Sequence, residues 1–234
     1  MPSAAQQPLP SHKAALLATA IDNNVLTFGT FTLKSGRTSP YFFNAGLFNT
    51  AKTIRALATA YAHTLLDHAN TSPGWEFDVL FGPAYKGIPL AVATAGQLGE
   101  VDEERWGDIG YAFNRKEAKD HGEGGTIVGA ALSGKKVVII DDVMTAGTAM
   151  TEAVDTVKAQ GGQLVGIIIA LDRQETMKEG SEMSSLGMMR EKTGVPVLSV
   201  LNLADMIVGL KGRGTESDVK RLEQYRAQYG ASNA

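Results

Sequence analysis

The feature that most restricts the fold of this chain is the alternation of short apolar segments with segments of helical periodicity. Residues 78–81, 137–140 and 163–171 have the length and the β-branched content of buried strands. Residues 51–68 and 146–157 carry apolar side chains three and four positions apart, which is the spacing of an amphipathic helix. Strands that are apolar throughout are typical of parallel sheets covered on both faces. The sequence therefore predicts an α/β fold in which helices flank a central, mainly parallel sheet.

The rest of the chain adds further helices and an N-terminal segment. Residues 86–98 are predicted to form a helix after the break at Gly82-Pro83, and residues 215–218 resemble a capping box that opens a last helix. Residues 1–45 precede the regular alternation, and we expect them to form a small hood over the sheet edge. Because no linker is visible, we expect a single domain over residues 1–234.

Composition and charge argue against several classes of function. The net charge of −3 gives no reason to expect nucleic acid or an anionic membrane as a partner. The absence of cysteine excludes disulfides, thiolate metal sites and cysteine nucleophiles. The longest apolar runs, residues 137–140 and 167–171, are far shorter than the ~20 residues of a membrane span. Since residues 1–13 do not resemble a secretory signal, we expect a cytoplasmic protein.

Two adjacent carboxylates, Asp141 and Asp142, follow the apolar segment at residues 137–140, where repulsion and desolvation both oppose them. At the exit of a strand the two side chains can diverge around one polar ligand. Residues 145–148 then offer backbone N–H groups, hydroxyls and a helix N-terminus, a combination that binds phosphate. Because carboxylates accept hydrogen bonds from sugar hydroxyls, the whole segment suits a sugar phosphate. The alternative is that Asp142 or Thr145 only caps the following helix.

A second polar segment, residues 115–125, is basic and rich in glycine. Arg115, Lys116, Lys119 and His121 lie within seven residues of one another, and glycines flank them. Glycine permits large backbone changes, so this pattern predicts a mobile basic loop that could fold over a polyanion. The alternative is an ordinary solvated charged loop.

A third polar segment, residues 81–87, joins the first predicted strand to the next helix. Its glycine and proline can present backbone amides to an anion, and Lys86 adds a full positive charge. A plain strand–helix turn with a surface lysine is the alternative.

Other patterns do not indicate a site. Residues 129–136 nearly fit a P-loop, but Lys136 stands where the magnesium-binding Ser or Thr is needed, and the segment precedes a strand instead of following one. His63 and His68 are five residues apart, which does not align them on one helical face for metal binding. The chain also lacks a GxSxG nucleophile elbow. We therefore expect no metal held directly by protein ligands.

The apolar strand, the two acids and the Thr/Gly-rich turn together resemble the phosphoribosyl-pyrophosphate (PRPP) signature of type I phosphoribosyltransferases. Residues 25–230 resemble the orotate phosphoribosyltransferase family within that group, especially its fungal and enterobacterial members. The resemblance implies a type I phosphoribosyltransferase fold. It also implies transfer of the 5-phosphoribosyl group from PRPP to orotate, giving orotidine 5′-monophosphate and pyrophosphate in de novo pyrimidine (UMP) synthesis.

The resemblance also implies a cofactor and an assembly. Mg²⁺ is expected as a cofactor, borne mainly by the pyrophosphate of PRPP because this ion usually keeps waters and substrate oxygens as ligands. A homodimer is expected, with the basic loop reaching across the interface into the neighbouring site.

The resemblance assigns site residues as follows. Those implied to bind PRPP are Lys34, Tyr85, Lys86, Arg115, Lys116, Lys119, His121, Asp141, Asp142, Val143, Met144, Thr145, Ala146, Gly147, Thr148 and Ala149. Those implied to bind orotate are Lys34, Phe42, Phe43, Thr145 and Arg173. The implied catalytic residues are Lys119, His121, Asp141 and Asp142. Whether Lys119 or His121 transfers a proton or acts only through its charge stays open.

The orotate residues have chemical reasons of their own. An aromatic pair such as Phe42 and Phe43 can enclose a flat pyrimidine, although two such residues are more often part of a core. The planar guanidinium of Arg173 suits a carboxylate, which it can bind through two parallel hydrogen bonds.

Two alternative functions remain. One is a phosphoribosyltransferase that acts on a purine or on uracil, which the segment SGRTSPYFFN and Arg173 disfavour. The other is a regulatory protein that senses PRPP without catalysis. An intact basic segment at residues 115–125 disfavours it, because a sensor needs no leaving-group chemistry. A receiver domain would also place acids at a strand end, but it has no use for a basic loop.

Overall fold

A computed structural model of the chain describes residues 8–33, 35–119, 125–144, 147–177, 182–211 and 216–232, without the side chains of residues 118, 119 and 125. In chain order the helices are α1 (Ser11–Asp22), α2 (Ala51–Thr71), α3 (Gly87–Val101), α4 (Glu103–Trp106), α5 (Thr148–Ala159), α6 (Ser185–Thr193), α7 (Leu203–Leu210) and α8 (Glu216–Tyr229). The strands are β1 (Leu26–Thr32), β2 (Thr38–Phe43), β3 (Val79–Phe81), β4 (Gly110–Lys119), β5 (Gly125–Gly129), β6 (Lys136–Asp141), β7 (Gln163–Asp172) and β8 (Val197–Asn202). None of the helices within these ranges is both long and apolar enough to cross a membrane.

The main sheet has the strand order β5-β4-β3-β6-β7-β8. Neighbouring strands from β4 to β8 run parallel, and β5 runs antiparallel to β4 at one edge. Strands β1 and β2 form a separate antiparallel hairpin. The prediction of an α/β fold with a mainly parallel sheet is confirmed.

Consecutive residues of the central strand β6 enter two different hydrophobic clusters. Val138 and Ile140 pack on the side of α2, α3 and α7, whereas Val137 and Ile139 pack on the side of α5 and α6. All four side chains are fully buried. Since successive side chains of a strand point to opposite faces, an apolar run with no alternation is what a sheet covered on both faces requires.

The N-terminal segment is more closely integrated than a hood over the sheet edge. Leu16 and Leu17 of α1 are buried in the same cluster as α2 and α7. The β1–β2 hairpin packs against the C-terminal helix α8, where the ring of Tyr41 meets that of Tyr225 edge-on at a centroid distance of 6.3 Å. The two ends of the chain therefore form one side of the molecule together.

The basic segment at residues 115–125 departs from the loop predicted from the sequence. Its first five residues continue strand β4, and Lys119 pairs with Gly125 of β5. The loop prediction is wrong for this part, because pairing with β5 satisfies backbone groups that a loop would leave to water. Residues 120–124 lie outside the described residues.

The central position of β6 generates a stability prediction. Ile139→Ala should lower the free energy of unfolding by about 3 kcal/mol, because it leaves a cavity beside a fully buried strand. Urea unfolding measures the change. Val101→Ala, at an exposed site at the end of α3, serves as the control and should stay within about 0.5 kcal/mol of the parent chain. Equal effects of both changes would contradict this burial pattern.

Candidate active site

The carboxyl ends of β3 and β6 meet at the centre of the sheet, where the direction of chain winding reverses. From β3 the chain continues through α3 to β4 on one side, whereas from β6 it continues through α5 to β7 on the other. The helices that follow the two strands leave a crevice between them. Open α/β sheets bind ligands at such a point.

The turn after β3 is shaped by two glycines and one asparagine. A Cβ on Gly82 would collide with the carbonyl oxygen of Gly87, so the turn needs glycine to close. The amide of Ala84 donates to Oδ1 of Asn114 at 2.9 Å, which ties the turn to the neighbouring strand β4. The Ala84–Tyr85 peptide bond is cis. The turn thus presents Tyr85 and Lys86 to the crevice on an anchored backbone.

An ion pair joins this turn to the end of β6. Nζ of Lys86 lies 2.8 Å from Oδ2 of Asp142, and the lysine side chain is 68% exposed whereas that of the aspartate is 11% exposed. The hydrogen bond to Asp142 raises the pKa of Lys86. Because the lysine is solvated, the pair contributes at most about 1 kcal/mol to stability. Its main effect is to place the basic turn after β3 beside the acidic end of β6, two strands that the backbone ladder already pairs.

The two adjacent carboxylates are oriented by backbone amides. The amide of Asp142 donates to Oδ1 of Asp141 at 2.9 Å, and the amide of Val143 donates to Oδ1 of Asp142 at 2.7 Å. The hydroxyl of Tyr61, on α2, donates to the carbonyl oxygen of Asp141 at 2.7 Å. The carboxylate of Asp142 does not cap α5, which begins after Gly147 without a side-chain cap, so the capping alternative is wrong for this residue.

The two acids differ in their electrostatic environment. Burial, and next the charge of Asp142, raise the pKa of Asp141 to about 6. Asp142 has the Lys86 ammonium as its partner, whereas Asp141 accepts only a backbone amide among the described residues. Asp141 is therefore the carboxylate with acceptor capacity left for a ligand.

A cavity of about 230 Å³ lies beside the two acids. Its lining residues are Asp141, Val143, Met144, Gly147, Thr148, Ala149 and Met150. Gly147 adopts a left-handed φ of 75° and starts α5, so the N-terminus of this helix lies at the cavity. Unpaired amides and the helix dipole make such an end favourable for an anion. Thr145 and Ala146 lie outside the described residues.

Strand β4 brings basic residues to the same edge. Nζ of Lys116 lies 4.8 Å from the centroid of the Tyr85 ring, so two residues assigned to PRPP from the sequence are in contact. Arg115 is half-buried in the same strand. The side chain of Lys119 and the whole of His121 lie outside the described residues.

The aromatic residues of β2 do not form a facing pair. The ring of Phe42 is 43% exposed and lies 5.6 Å from that of Phe31, whereas Phe43 is half-buried and lies 6.2 Å from Phe48. Consecutive strand residues point to opposite faces, so the expectation that the two rings enclose a pyrimidine between them is wrong. Phe42 alone offers an exposed ring face, and Lys34 lies outside the described residues.

Arg173 follows β7 and joins the main sheet to the β1–β2 hairpin. Its Nη2 donates to Oγ of Ser39 at 3.2 Å, and its guanidinium lies 4.5 Å from the centroid of the Tyr41 ring. The Nε and Nη2 atoms each lie 2.7 Å from Oε1 of Glu175. The guanidinium of Arg173, which was expected to bind the carboxylate of a substrate, is thus partly occupied by the carboxylate of Glu175.

Several residues at this edge were missed in the sequence. Tyr61 and Glu175 each contact a predicted site residue, and Asn114 anchors Ala84, which precedes the predicted Tyr85. Only Glu175 carried a usable signal, because it is an acid two positions from Arg173. In the described part of the chain, no three His, Cys, Asp or Glu side chains cluster closely enough to hold a metal ion.

Comparison with known proteins identifies the family. A family model described as Phosphoribosyl transferase domain matches residues 50–186. The orotate phosphoribosyltransferase of Metarhizium anisopliae is 48% identical over 231 residues, which cover 96% of this chain and 98% of the relative. That of Kluyveromyces lactis is 51% identical over 226 residues, with 96% and 98% covered. This chain belongs to the orotate phosphoribosyltransferase family.

A solved member of the orotate phosphoribosyltransferase family has the same fold. The enzyme of Francisella tularensis superposes with a TM-score of 0.79 at 41% identity, covering 92% of this chain and 98% of its own. The family resemblance and the type I phosphoribosyltransferase fold predicted from the sequence are thereby confirmed. The match to the phosphoribosyltransferase domain begins at residue 50 and does not include the β1–β2 hairpin. The similarity to the orotate phosphoribosyltransferase relatives covers 96% of the chain and includes that hairpin.

The raised pKa of Asp141 generates a prediction about stability and pH. In the unfolded chain this carboxyl titrates near its ordinary value of about 4, so between about pH 4 and pH 6 the folded state binds more protons. The contribution of Asp141 to stability therefore falls as pH rises through this window. Relative to the parent chain, Asp141→Asn should become more stable across that window, by up to about 3 kcal/mol, and the difference should then level off.

Urea unfolding at a series of pH values measures this difference. The matched control is Asp155→Asn, which changes an exposed carboxylate on α5 and should give a difference that does not vary with pH. A constant difference for Asp141→Asn as well would show that burial does not perturb this acid.

Proposed function

We propose that this chain transfers the 5-phosphoribosyl group from PRPP to orotate, giving orotidine 5′-monophosphate and pyrophosphate in de novo pyrimidine synthesis. The proposal depends above all on the Lys86–Asp142 ion pair at the centre of the sheet. This contact places the basic turn after β3 and the two aspartates at the end of β6 on either side of one crevice. The cavity at the N-terminus of α5 lies next to them. Family membership favours orotate as the base.

The phosphoribosyl group is assigned to the acidic side of the crevice. Asp141 and Asp142 accept hydrogen bonds from the ribose hydroxyls, with their carboxylates already oriented by backbone amides. The 5′-phosphate binds at the start of α5, where Gly147, Thr148 and Ala149 line the cavity. Val143 and Met144 also line this cavity, and we assign Thr145 and Ala146 to binding of the same phosphate.

The pyrophosphate is assigned to the basic side of the crevice. Tyr85 and Lys86 contact it from the turn after β3, and Arg115 and Lys116 contact it from β4. Lys119 and His121 complete this group. Positive charge fixed in place stabilises the negative charge that grows on a leaving pyrophosphate, without reorganisation during the reaction.

Magnesium enters with the substrate in this proposal. The Asp141–Asp142 pair is hydrogen-bonded and partly ion-paired, and no cluster of three metal ligands exists among the described residues. These residues fit an ion that is carried mainly by the pyrophosphate oxygens of PRPP. When bound, Mg²⁺ neutralises part of the charge of the pyrophosphate.

The chemical step requires no covalent nucleophile. Breaking the bond between C1 of ribose and the pyrophosphate oxygen leaves positive character on the sugar, which the carboxylates of Asp141 and Asp142 favour. A ring nitrogen of orotate then bonds to C1 and loses its proton to solvent, while the electron pair of the broken C1–O bond departs with the pyrophosphate toward Lys119 and His121. Holding both reactants in line supplies much of the rate enhancement. Lys119 or His121 can also give the leaving group a proton.

Orotate is assigned to the space between the hairpin and the end of β7. Phe42 offers an exposed ring for stacking, and Phe43 supports the strand from the buried side. Arg173 faces the carboxylate of the base, with Lys34 and Thr145 as further contacts. An exposed aromatic ring and a guanidinium on adjacent elements match the flat, anionic shape of orotate.

One assay tests the function. The purified chain is mixed with orotate, PRPP and Mg²⁺, and the loss of orotate absorbance is followed. We expect a loss that requires all three. Turnover of uracil or a purine instead of orotate would favour another phosphoribosyltransferase. Binding of PRPP without turnover of any base would favour a regulatory protein and overturn the proposal.

The role of Lys119 is tested by separating turnover from binding. Lys119→Ala should lower kcat by about 100-fold while changing PRPP affinity much less, because the lysine acts on charge that develops in the transition state. Lys158→Ala, an exposed lysine on α5, is the matched control and should change neither. Equal losses of kcat and PRPP affinity for Lys119→Ala would argue for simple ground-state binding.

We also propose a cytoplasmic homodimer that shares the basic segment between subunits. Val92 on α3 and Tyr111 on β4 are more than 40% exposed, and a second copy could cover these apolar side chains.

A mixing experiment tests whether Lys119 acts in the partner's site. Equal amounts of inactive Lys119→Ala and Asp142→Asn chains should together restore activity to about one quarter of the parent level. Half of the dimers are then mixed, and each mixed dimer has one intact site of its two. No recovery after verified subunit exchange would contradict a shared segment.

A further inference from the structure

Glu175 lies between two arginines near the hairpin. Its Oε1 lies 2.7 Å from Nη2 of Arg173, and its Oε2 lies 3.9 Å from Nη1 of Arg37. The three side chains are only 13–15% exposed, so all three charges are largely removed from water. A partly buried arrangement of this kind is costly unless its charges are well paired.

The backbone around Glu175 is held in an unusual conformation. Gln174, which separates it from Arg173, has a left-handed φ of 53° although it is not glycine, and it is 6% exposed. Its amide donates to Oδ1 of Asp172 at 2.8 Å, and its side-chain oxygen accepts from the amide of Ala204 at 3.0 Å. Because both anchors lie on Gln174, the relative placement of Arg173 and Glu175 is defined by the main chain.

Arg37 lies on the other side of Glu175 and hydrogen-bonds the next residue, Thr176. Its Nη1 donates to the carbonyl oxygen of Thr176 at 2.6 Å, and its guanidinium lies 5.0 Å from the centroid of the Tyr229 ring. Glu175 itself forms an isolated β-bridge with Gly230. Glu175 is therefore supported by Gly230, which follows α8. Gly230 and Arg37 both lie outside residues 50–186, the part that matches the phosphoribosyltransferase model.

These contacts leave one part of the Arg173 guanidinium free. Nε and Nη2 are engaged by Glu175, and Nη2 is shared with Ser39. No hydrogen bond among the described residues engages Nη1. The buried hydroxyl of Tyr225 lies close to both Arg173 and Glu175, but it forms no hydrogen bond of good geometry with either. Arg37, Arg173 and Glu175 together carry one net positive charge, which a single carboxylate would neutralise.

From this geometry we propose that Glu175 is a positioning residue for recognition of the base. Clamped by Arg37, it holds the Nε–Nη2 edge of Arg173 so that Nη1 is presented to the carboxylate of the substrate. The inference rests on the proposed function, since it concerns how Arg173 selects a pyrimidine carboxylate. It also gives Arg37 and the C-terminal residues a role at the base site.

A purely electrostatic role for Glu175 makes the opposite prediction. If only net charge mattered, neutralising Glu175 would raise the charge of the cluster and tighten the binding of an anionic base. Neutralising Arg37 would lower the charge and weaken binding. If orientation matters, both changes free Arg173 from its clamp, and both weaken binding.

The experiment compares Glu175→Gln and Arg37→Gln in steady-state kinetics with orotate, PRPP and Mg²⁺. We expect both to raise KM for orotate by about tenfold, the size expected when a charge-assisted hydrogen bond is misaligned. KM for PRPP should stay within about twofold, because PRPP is assigned to other strand ends. Glu223→Gln, which neutralises a 51%-exposed carboxylate on α8, is the matched control and should leave both values unchanged.

The outcomes separate the two proposals. A parent chain that shows no PRPP-dependent loss of orotate overturns the proposed function. An active parent chain whose KM for orotate is unchanged or lower in Glu175→Gln overturns the positioning role alone. A rise in both KM values together with a lower melting temperature would also overturn it, because it would show that Glu175 only supports the fold.

Discussion

The contact between Lys86 and Asp142 is the interaction on which the geometry of the site depends. It joins the ends of β3 and β6, which lie at the point where the chain winding changes direction. The buried strand β6 brings the carboxylates to the sheet edge, and the closed turn at Gly82 brings the lysine there. The pair adds little stability because the lysine is solvated. It instead lies at the boundary between the basic turn after β3 and the acidic end of β6.

The adjacent carboxylates are tolerated because their environments differ. Asp142 has an ammonium partner, whereas Asp141 has a backbone amide and a pKa raised to about 6 by burial and by its neighbour. The two charges are thus not equivalent, and the less satisfied one faces the cavity. A similar division occurs at the hairpin, where Glu175 satisfies one edge of Arg173 and leaves Nη1 without a hydrogen bond among the described residues. In both places one charged group has its partner within the chain, and a neighbouring charged group keeps hydrogen-bonding capacity for a ligand.

Much of the fold could be predicted from local sequence patterns. The apolar runs of β6 and β7 and the helical stripe of α2 were placed within a few residues of their observed bounds, because their periodicity reflects which faces are buried. The strand formed by residues 115–119 was missed, since its pairing with β5 depends on a partner that local pattern does not reveal. The same limit applies to Phe42 and Phe43. The sequence shows two aromatic residues, and only strand geometry shows that they face apart.

The sequence by itself determined the α/β class and the residue types at three strand ends, since these follow from periodicity and from short contiguous motifs. It also determined the family, through its resemblance to known members along most of the chain. Only the tertiary structure decided which of these residues meet. Lys86 and Asp142 are 56 positions apart, and Arg173 and Ser39 are 134 apart, yet each pair is in contact. For Lys86 and Asp142 the physical reason is that parallel strands bring their carboxyl ends to one edge, whatever their separation along the chain. Ser39 lies in the separate β1–β2 hairpin and meets Arg173 through tertiary packing. Contacts across that edge orient the charges, and no local pattern encodes them.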